Sequence, residues 1–384
     1  MKQLEPNLIG AYGPWAAETI LPEIPRLSLR TGAYKDLDAW RAMARKRLAE
    51  LLNAPATGGT PRATVQAAYE LDGLRIEELS WQLPYGPATA AVFMKPTGAT
   101  GHLPAVVAFH DHGGRKYFGC RKITRTRTSM HSIMAEHQQN YYGDRAWANE
   151  LARRGYAVLV HDTFPFASRR VRLAEVADSI REGLADVSDR ETEAEINAYQ
   201  GWAGRHENIM AKSLFYAGTT WPGVFLAEDR AALDYLCSRP DVDTGRIGCG
   251  GLSGGGMRTI FLGGTDDRIR CAVCVGLMST HRDFVLNKSH THTWMMCVPG
   301  LAHDLDYPEI LALRAPLATM VLNDSEDQLF TLPEMQRADR IMAEVFRIAG
   351  AADRYRCSFH PGPHKFDRPM QEEAFSWFDR HLRA

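Results

Sequence analysis

Residues 248–257 read GCGGLSGGGM, so that Ser253 stands among six glycines with no charged side chain in the stretch. Glycine loses more backbone freedom on folding than any other residue, so this stretch is costly to order. The apolar run RIGC (246–249) precedes it, and the helix-like MRTIFLGG (257–264) follows it. We interpret the stretch as a sharp turn from a strand into a helix, where bulky side chains would collide with neighbouring backbone.

Three kinds of glycine-rich turn are known to follow a strand. The dinucleotide-binding pattern GxGxxG lacks its third glycine here, because Ser253 takes that position. The phosphate-binding pattern GxxxxGK lacks its lysine, because Met257 takes that position. The pattern GxSxG is complete from Gly251 to Gly255, and it is typical of a nucleophile turn that exposes a serine hydroxyl above a sheet.

The rest of the chain alternates strand-like apolar runs with helical patterns, which predicts an α/β fold with a mainly parallel sheet. The runs are nearly continuous in Ala, Val, Leu and Ile, as in strands covered on both faces. The predicted strands are 75–83, 88–96, 104–111, 156–162, 246–253, 270–277, 316–324 and 354–361. The first two flank the turn PYGP (84–87) and predict an antiparallel hairpin.

The helical patterns divide the chain into an extension, a main body and an insert. Residues 1–60 are predicted to form a helical extension with one helix over 36–53, capped by Asp36 or Asp38. Residues 61–384 form the predicted catalytic domain. Its long interval 163–223 is predicted to be a helical lid over the C-terminal edge of the sheet; the alternative is a surface excursion without a role.

Composition excludes several classes of partner. The 384 residues carry 45 basic and 46 acidic side chains, so neither nucleic acid nor an anionic membrane is expected as a partner. The N-terminal MKQLEPNLIGAYGPW has no apolar core of signal-peptide length, and no later run predicts a membrane span. The seven scattered cysteines, Cys271 and Cys274 among them, predict free thiols in a reducing compartment and hence a cytoplasmic protein.

A nucleophilic serine needs a base and an acid that orients the base, and in this kind of turn the chain order is serine, acid, histidine. The run PLATMVLNDSEDQLFT (316–331) offers Asp324 and Asp327. Asp327 is favoured, because the carboxylate must clear the end of the strand on a loop; Asp324 is the alternative. His364 is favoured as the base over His360, because His364 lies in a loop before the last helix.

Acyl transfer also requires donors for the oxyanion, usually two backbone N–H groups. The N–H of Gly254, directly after the serine, is one candidate. The N–H of His112, in the sequence HDHGG (110–114) after a predicted strand, is the other. A metal site at these histidines is the alternative, but their spacing fits no metallohydrolase pattern and no HExxH occurs. We therefore expect neither a metal nor a cofactor.

Residues of the substrate pocket are harder to place from spacing. His292 and Trp294 follow the strand next to the predicted nucleophile, and Trp221 begins a predicted helix. These three side chains are expected to line the pocket, with a packed role as the alternative.

Several longer motifs make the chain resemble a known group. They are FHDHGG (109–114), LARRGYAVLVHD (151–162), EDRAALDYLCSRPDVDTGRIGCGGLSGGG (228–256), SEDQLF (325–330) and PGPHKF (361–366). Over residues 65–384 the chain resembles the α/β-hydrolase superfamily, and within it the dienelactone hydrolase and acetyl xylan esterase-like group. The resemblance implies an eight-stranded sheet flanked by helices, no cofactor, and a Ser-His-Asp triad.

By motif position, that triad falls on Ser253, Asp327 and His364. Two departures bear on the substrate. The dienelactone hydrolases proper use a cysteine nucleophile, so Ser253 points to the esterase side of the group. Carbohydrate esterases of the group often carry Gln after the serine, where this chain has Gly254.

The predicted function is hydrolysis of a small acyl or acetyl ester, of a carbohydrate or another small molecule, through an acyl-enzyme. The alternative with the same triad is C–C bond hydrolysis of a β-diketone-like substrate. A third hypothesis is a non-catalytic binding protein on a hydrolase scaffold, which would usually have lost a triad residue. The sequence leaves the oligomeric state open, a homo-oligomer included.

Overall fold

A computed structural model describes residues 6–20 and 23–383. Within them, nine strands form one sheet in the order β1-β2-β3-β5-β4-β6-β7-β8-β9. The strands are β1 (Thr64–Leu71), β2 (Leu74–Trp81), β3 (Thr89–Pro96), β4 (Leu103–Phe109), β5 (Ala157–His161), β6 (Val242–Leu252), β7 (Ile269–Val275), β8 (Ala318–Asp324) and β9 (Tyr355–His360). Pairing is antiparallel along β1-β2-β3-β5 and parallel along β5-β4-β6-β7-β8-β9, which confirms the predicted mainly parallel sheet.

The additional strand relative to the eight predicted is β1. Its residues are all exposed or half-buried, because β1 lies at the edge of the sheet and pairs only with β2. It therefore lacks the continuous apolar run that marks the inner strands.

Helices cover both faces of the sheet. They are α1 (Tyr12–Trp15), α2 (Leu37–Leu52), α3 (Ser132–Tyr142), α4 (Trp147–Arg153), α5 (Asp178–Arg181), α6 (Glu193–Tyr216), α7 (Trp221–Ser238), α8 (Gly254–Thr265), α9 (His281–Asp283), α10 (Tyr307–Ala312), α11 (Leu332–Ile348) and α12 (Arg368–Leu382). One face packs α2, α7, α8, α10 and α11 in the larger apolar core, and the other packs α4 and α12. None of these helices combines the length and the apolar character needed to cross a bilayer.

The cysteine pair of β7 illustrates the two faces. Cys271 belongs to the core under α4 and α12, whereas Cys274 belongs to the core under α7 and α8. Alternate residues of a strand point to opposite faces, so two cysteines three positions apart point away from each other. All seven cysteines, which lie within the described residues, are unpaired.

The predicted N-terminal helix is α2, and it is packed against the main body. The Asp36 side chain accepts the N–H of Asp38, as the sequence predicts for the cap. One side of the helix is fully buried, whereas Met43 is 53% exposed. The prediction for 1–60 includes residues 1–5, 21 and 22, which lie outside the described residues.

The interval 163–223 is less helical than its sequence pattern predicts. Residues 171–192 form loops and single turns, and the one long helix, α6, begins at Glu193. Thr192 and Glu195 cap it reciprocally. Buried side chains of α6, such as Trp202, form a separate apolar cluster with Phe118 from the loop after β4. The insert is thereby packed onto the segment that carries the candidate oxyanion donor.

Candidate active site

Ser253 occupies the corner between β6 and α8. Its backbone has φ 58° and ψ −118°, in a region that residues other than glycine rarely adopt. The Ser253 N–H donates to the carbonyl of Val275 at 2.8 Å, which ties the corner to the neighbouring strand β7. Strained backbone of this kind persists only where the surrounding structure holds it in place, and it is concentrated at functional sites.

The glycines on either side of Ser253 are required by close backbone contact. A Cβ atom at Gly251 or at Gly255 would lie less than 3.0 Å from the carbonyl oxygen of Phe109 on β4. Real Cβ contacts do not reach such distances, so any side chain there would displace β4 or the corner. This confirms the expected collision with neighbouring backbone and explains the glycine-rich stretch.

His364 and Asp327 form a hydrogen-bonded pair beside this corner. His364 Nδ1 donates to Asp327 Oδ2 at 2.6 Å, and Asp327 Oδ1 accepts the N–H of Leu329 at 2.9 Å. Because the carboxylate can only accept, Nδ1 carries the proton and Nε2 of a neutral ring is free to accept another. Ser253 and His364 line the same cavity.

The two alternative residues have other partners. Asp324, at the end of β8, accepts the backbone N–H of Lys365 at 3.0 Å, and burial raises its pKa to about 7. His360 pairs with Glu373 at 2.8 Å. The structure therefore joins His364 to Asp327, and Asp324 instead braces the loop that carries His364.

The two candidate oxyanion donors lie side by side. A Cβ atom at Gly254 would lie 2.9 Å from the backbone nitrogen of His112. Across residues 6–20 and 23–383, neither the N–H of Gly254 nor that of His112 has a hydrogen-bond partner. Gly254 is the first residue of α8. Its N–H has no acceptor within the helix and lies at the positive end of the helix dipole.

The ring of His112 serves as an anchor. Its Nδ1 accepts the N–H of Gly114 at 3.0 Å, so Nε2 carries the proton and donates to Glu207 Oε1 at 2.9 Å. Burial lowers the pKa of His112 to about 4, and the ring is neutral at physiological pH. Lys116 forms an ion pair with the same carboxylate.

Sequence reasoning missed Glu207, which reaches the site from α6. Its signal was its position in the buried stripe of that helix, in line with Ala203 and Met210. A carboxylate within an apolar helix face needs a partner, because burial without one is costly.

The side chains of His110 and Asp111, which flank His112 on its N-terminal side, have hydrogen-bond partners of their own. His110 Nδ1 donates to the carbonyl of Asp111 at 3.0 Å. The Asp111 carboxylate accepts from His137 at 3.1 Å and from the hydroxyl of Tyr142. In the described part of the chain, no group of three or more His, Cys, Asp or Glu side chains is arranged to hold a metal ion.

The cavity at Ser253 has a volume of about 260 Å³. Its apolar lining includes Leu252, Leu277, Met295, Leu329 and the ring of Tyr141. His292 lines it too and donates Nε2–H to the carbonyl of Leu329 at 2.9 Å; burial lowers the pKa of His292 to about 4.

The two predicted tryptophans do not line this cavity. Trp221 is buried in the core against Phe164 and Phe225, at the start of α7. Trp294 is 39% exposed and contacts Phe215 of α6. The expectation that these two tryptophans line the pocket is therefore wrong; sequence spacing alone could not place them.

A larger cavity of about 760 Å³ lies elsewhere, along β2, β3 and the segment 119–131. Neither Ser253 nor His364 lines it. Size alone therefore does not identify the candidate site, whereas the converging polar groups at Ser253 do.

The sequence is similar to that of a protein named as a hydrolase. No family model matches the chain. The chain is 27% identical over 353 residues to a Bacillus subtilis (strain 168) protein named "Putative hydrolase YtaP", covering 89% of this chain and 100% of that protein.

Solved structures share the fold at low sequence identity. A Bacteroides fragilis protein described as a "putative acetyl xylan esterase" superposes with a TM-score of 0.66 at 14% identity, covering 92% of this chain and 83% of that chain. A glucuronoyl esterase from Solibacter usitatus superposes with a TM-score of 0.62 at 16% identity, covering 94% and 99%. The chain has the α/β-hydrolase fold, as its sequence motifs predict.

Proposed function

We propose that the protein is a serine hydrolase that cleaves carboxylic esters with a small acyl group. The observation that carries the proposal is the convergence on one cavity of Ser253, the Asp327-bound His364 and His112, with the free N–H of Gly254 beside that of His112. The likeness to a named hydrolase and to esterase structures supports the reaction class.

The first step of the proposed mechanism is acylation. His364 Nε2 takes the proton of the Ser253 hydroxyl as the oxygen attacks the ester carbonyl, and Asp327 stabilises the imidazolium that forms. The N–H groups of Gly254 and His112 bind the oxyanion, and each such donor contributes about 3–4 kcal/mol in comparable sites. His364 then gives its proton to the leaving alcohol.

Deacylation repeats these steps with water as the nucleophile. His364 takes a proton from the water as it attacks the acyl-enzyme, and returns this proton to Ser253 when the carboxylic acid leaves. The volume of about 260 Å³ and the apolar lining at Leu277 and Met295 favour a short, uncharged acyl group. The likeness to structures of an acetyl xylan esterase and a glucuronoyl esterase adds carbohydrate esters as candidates for the whole substrate.

The test is Ser253→Ala, assayed on p-nitrophenyl esters of increasing acyl length and on acetylated sugars. We expect kcat to fall by roughly 10³-fold or more with the fold retained, and labelling by a fluorophosphonate to disappear. Ser376→Ala, an exposed serine on α12, is the matched control and should keep full activity and labelling. Full activity of Ser253→Ala would contradict the proposal. Product analysis separates ester cleavage (acid and alcohol) from C–C cleavage (acid and ketone).

A further inference from the structure

Lys122 is a fully buried lysine that the proposed mechanism leaves without a role. It ends a single helical turn, Cys120–Lys122, in the segment after β4. Its Nζ donates to the carbonyl oxygens of Asp111 at 2.7 Å and of His112 at 2.8 Å. Burying an ammonium group is costly, so its placement on two backbone carbonyls calls for a physical account.

The first of these carbonyls belongs to the peptide group whose N–H is a candidate oxyanion donor. The peptide bond between Asp111 and His112 is trans. In a planar trans peptide, C=O and N–H point in opposite directions. An ammonium that holds the Asp111 oxygen therefore turns the His112 N–H away from itself, and that nitrogen lies beside Gly254.

The surroundings of Lys122 reinforce this orientation. His110 Nδ1–H donates to the same Asp111 carbonyl, so two donors hold one oxygen. The Asp111 carboxylate lies 3.9 Å from the ammonium, and the ring of Phe166 lies 4.6 Å from it. Hydrogen bonds in series polarise one another, so a charged donor on the carbonyl makes the N–H of the same peptide a better donor.

Burial lowers the pKa of Lys122 to about 8. The side chain therefore keeps its charge at neutral pH, despite its lack of contact with solvent.

We propose that Lys122 is a positioning residue that fixes and polarises the Asp111–His112 peptide so that its N–H binds the oxyanion. The inference rests on the proposed function. It predicts that Lys122 affects the transition state and leaves ground-state binding of the ester unchanged, because Lys122 does not line the cavity and would act on the ester only through the peptide backbone it holds.

The test compares Lys122→Met and Lys122→Gln with Lys95→Met, a control in which a partly exposed ion pair with Asp241 is removed on β3. Four quantities are measured: kcat, KM, the inhibition constant of a small alkylboronic acid, and the unfolding temperature. The boronic acid forms a tetrahedral adduct on the serine, which uses the oxyanion donors as the transition state does.

We expect kcat of Lys122→Met to fall about 10–100-fold, part of the effect of losing a whole oxyanion donor. The boronic acid affinity should fall by the same factor with KM nearly unchanged, Lys122→Gln should be less affected, and Lys95→Met should match the wild type.

Three outcomes would overturn the inference: unchanged kcat in a folded variant, reduced kcat with unchanged boronic acid affinity, or loss of folding in both Lys122 variants. The last would assign Lys122 to the fold. Ser253→Ala in parallel separates the two proposals, because activity that survives there contradicts the serine mechanism itself.

Discussion

The two sides of the cavity are constructed differently. On the acid–base side, Asp327 and His364 lie on loops after β8 and β9, and one hydrogen bond of 2.6 Å joins them. On the oxyanion side, buried charged groups hold His112: Lys122 donates to the carbonyls of Asp111 and His112, and Glu207 accepts from the His112 ring.

The difference follows from what each side presents to a substrate. β8 and β9 are parallel neighbours with Asp324 opposite His360, so their following loops start next to each other. The loop that carries His364 is held further by Asp324, which accepts the backbone N–H of Lys365. The oxyanion side presents a peptide N–H outside any helix or strand, and such a peptide has no regular partner to orient it. Buried side chains must therefore supply the orientation.

The largest effect is expected on the acid–base side. Asp327→Asn should lower kcat by about 10⁴-fold, because the amide can stabilise the wrong tautomer of His364 and cannot stabilise the imidazolium. The measurement is kcat on a p-nitrophenyl ester at pH 7–8.

Asp324→Asn is the matched control for this variant. Its carboxyl has a pKa of about 7 and accepts the Lys365 N–H, which an amide oxygen can also do. It should retain most of its activity. If Asp324→Asn lost as much activity as Asp327→Asn, the acid–base side would be assigned to the wrong carboxylate.

A smaller effect is expected where the two sides meet, at the glycine corner. Gly255→Ala places a Cβ atom less than 3.0 Å from the Phe109 carbonyl, so it should lower the free energy of unfolding by about 1–3 kcal/mol, as overpacking does. Gly204→Ala, on the exposed side of α6 with open space at its Cβ, should instead raise it by up to about 1 kcal/mol. Urea unfolding measures both; equal behaviour of the two variants would mean that the corner adjusts freely.

The last prediction concerns pH, where the two sides should behave alike. His112 on one side and His292 on the other both have a pKa lowered by burial to about 4 from an ordinary value of 6.5. Between these values the unfolded chain binds more protons than the folded chain. Stability is therefore fully present above pH 6.5 and falls as the pH drops toward 4, by about 1.4 kcal/mol per pH unit for each fully titrating histidine.

His112→Gln and His292→Gln each test this prediction. Either substitution should lower the slope of unfolding free energy against pH by up to about 1.4 kcal/mol per pH unit, which corresponds to one proton. The slope is measured by urea unfolding at pH 7, 6 and 5. A variant that kept the wild-type slope would show that its histidine is protonated in the folded protein.

Much of the acid–base side could be predicted from the sequence. The order Ser253, Asp327, His364 follows from the position of each residue after a strand, and strand ends are visible as the ends of apolar runs. The edge strand β1 was missed for the converse reason, since a strand with exposed faces has no such run.

The charged supports of the oxyanion side could not be predicted in the same way. Glu207 contacts His112 across 95 positions of chain, and Lys122 looks like any other lysine of a basic segment. The pocket prediction for Trp221 was wrong for a related reason: the sequence does not say which apolar surface covers a side chain, and Trp221 lies in the core.

The sequence by itself determined the strand-to-helix corner at Ser253, the need for glycine at Gly251 and Gly255, and the chain order of the three proposed triad residues. These features are local, because backbone sterics and apolar periodicity act over a few residues. Only the tertiary structure decided that the His112 peptide lies beside Gly254 and that buried charges hold it there. Burial and ion pairing depend on which distant segments pack together, and a charged side chain looks the same in sequence whether water or a peptide carbonyl surrounds it.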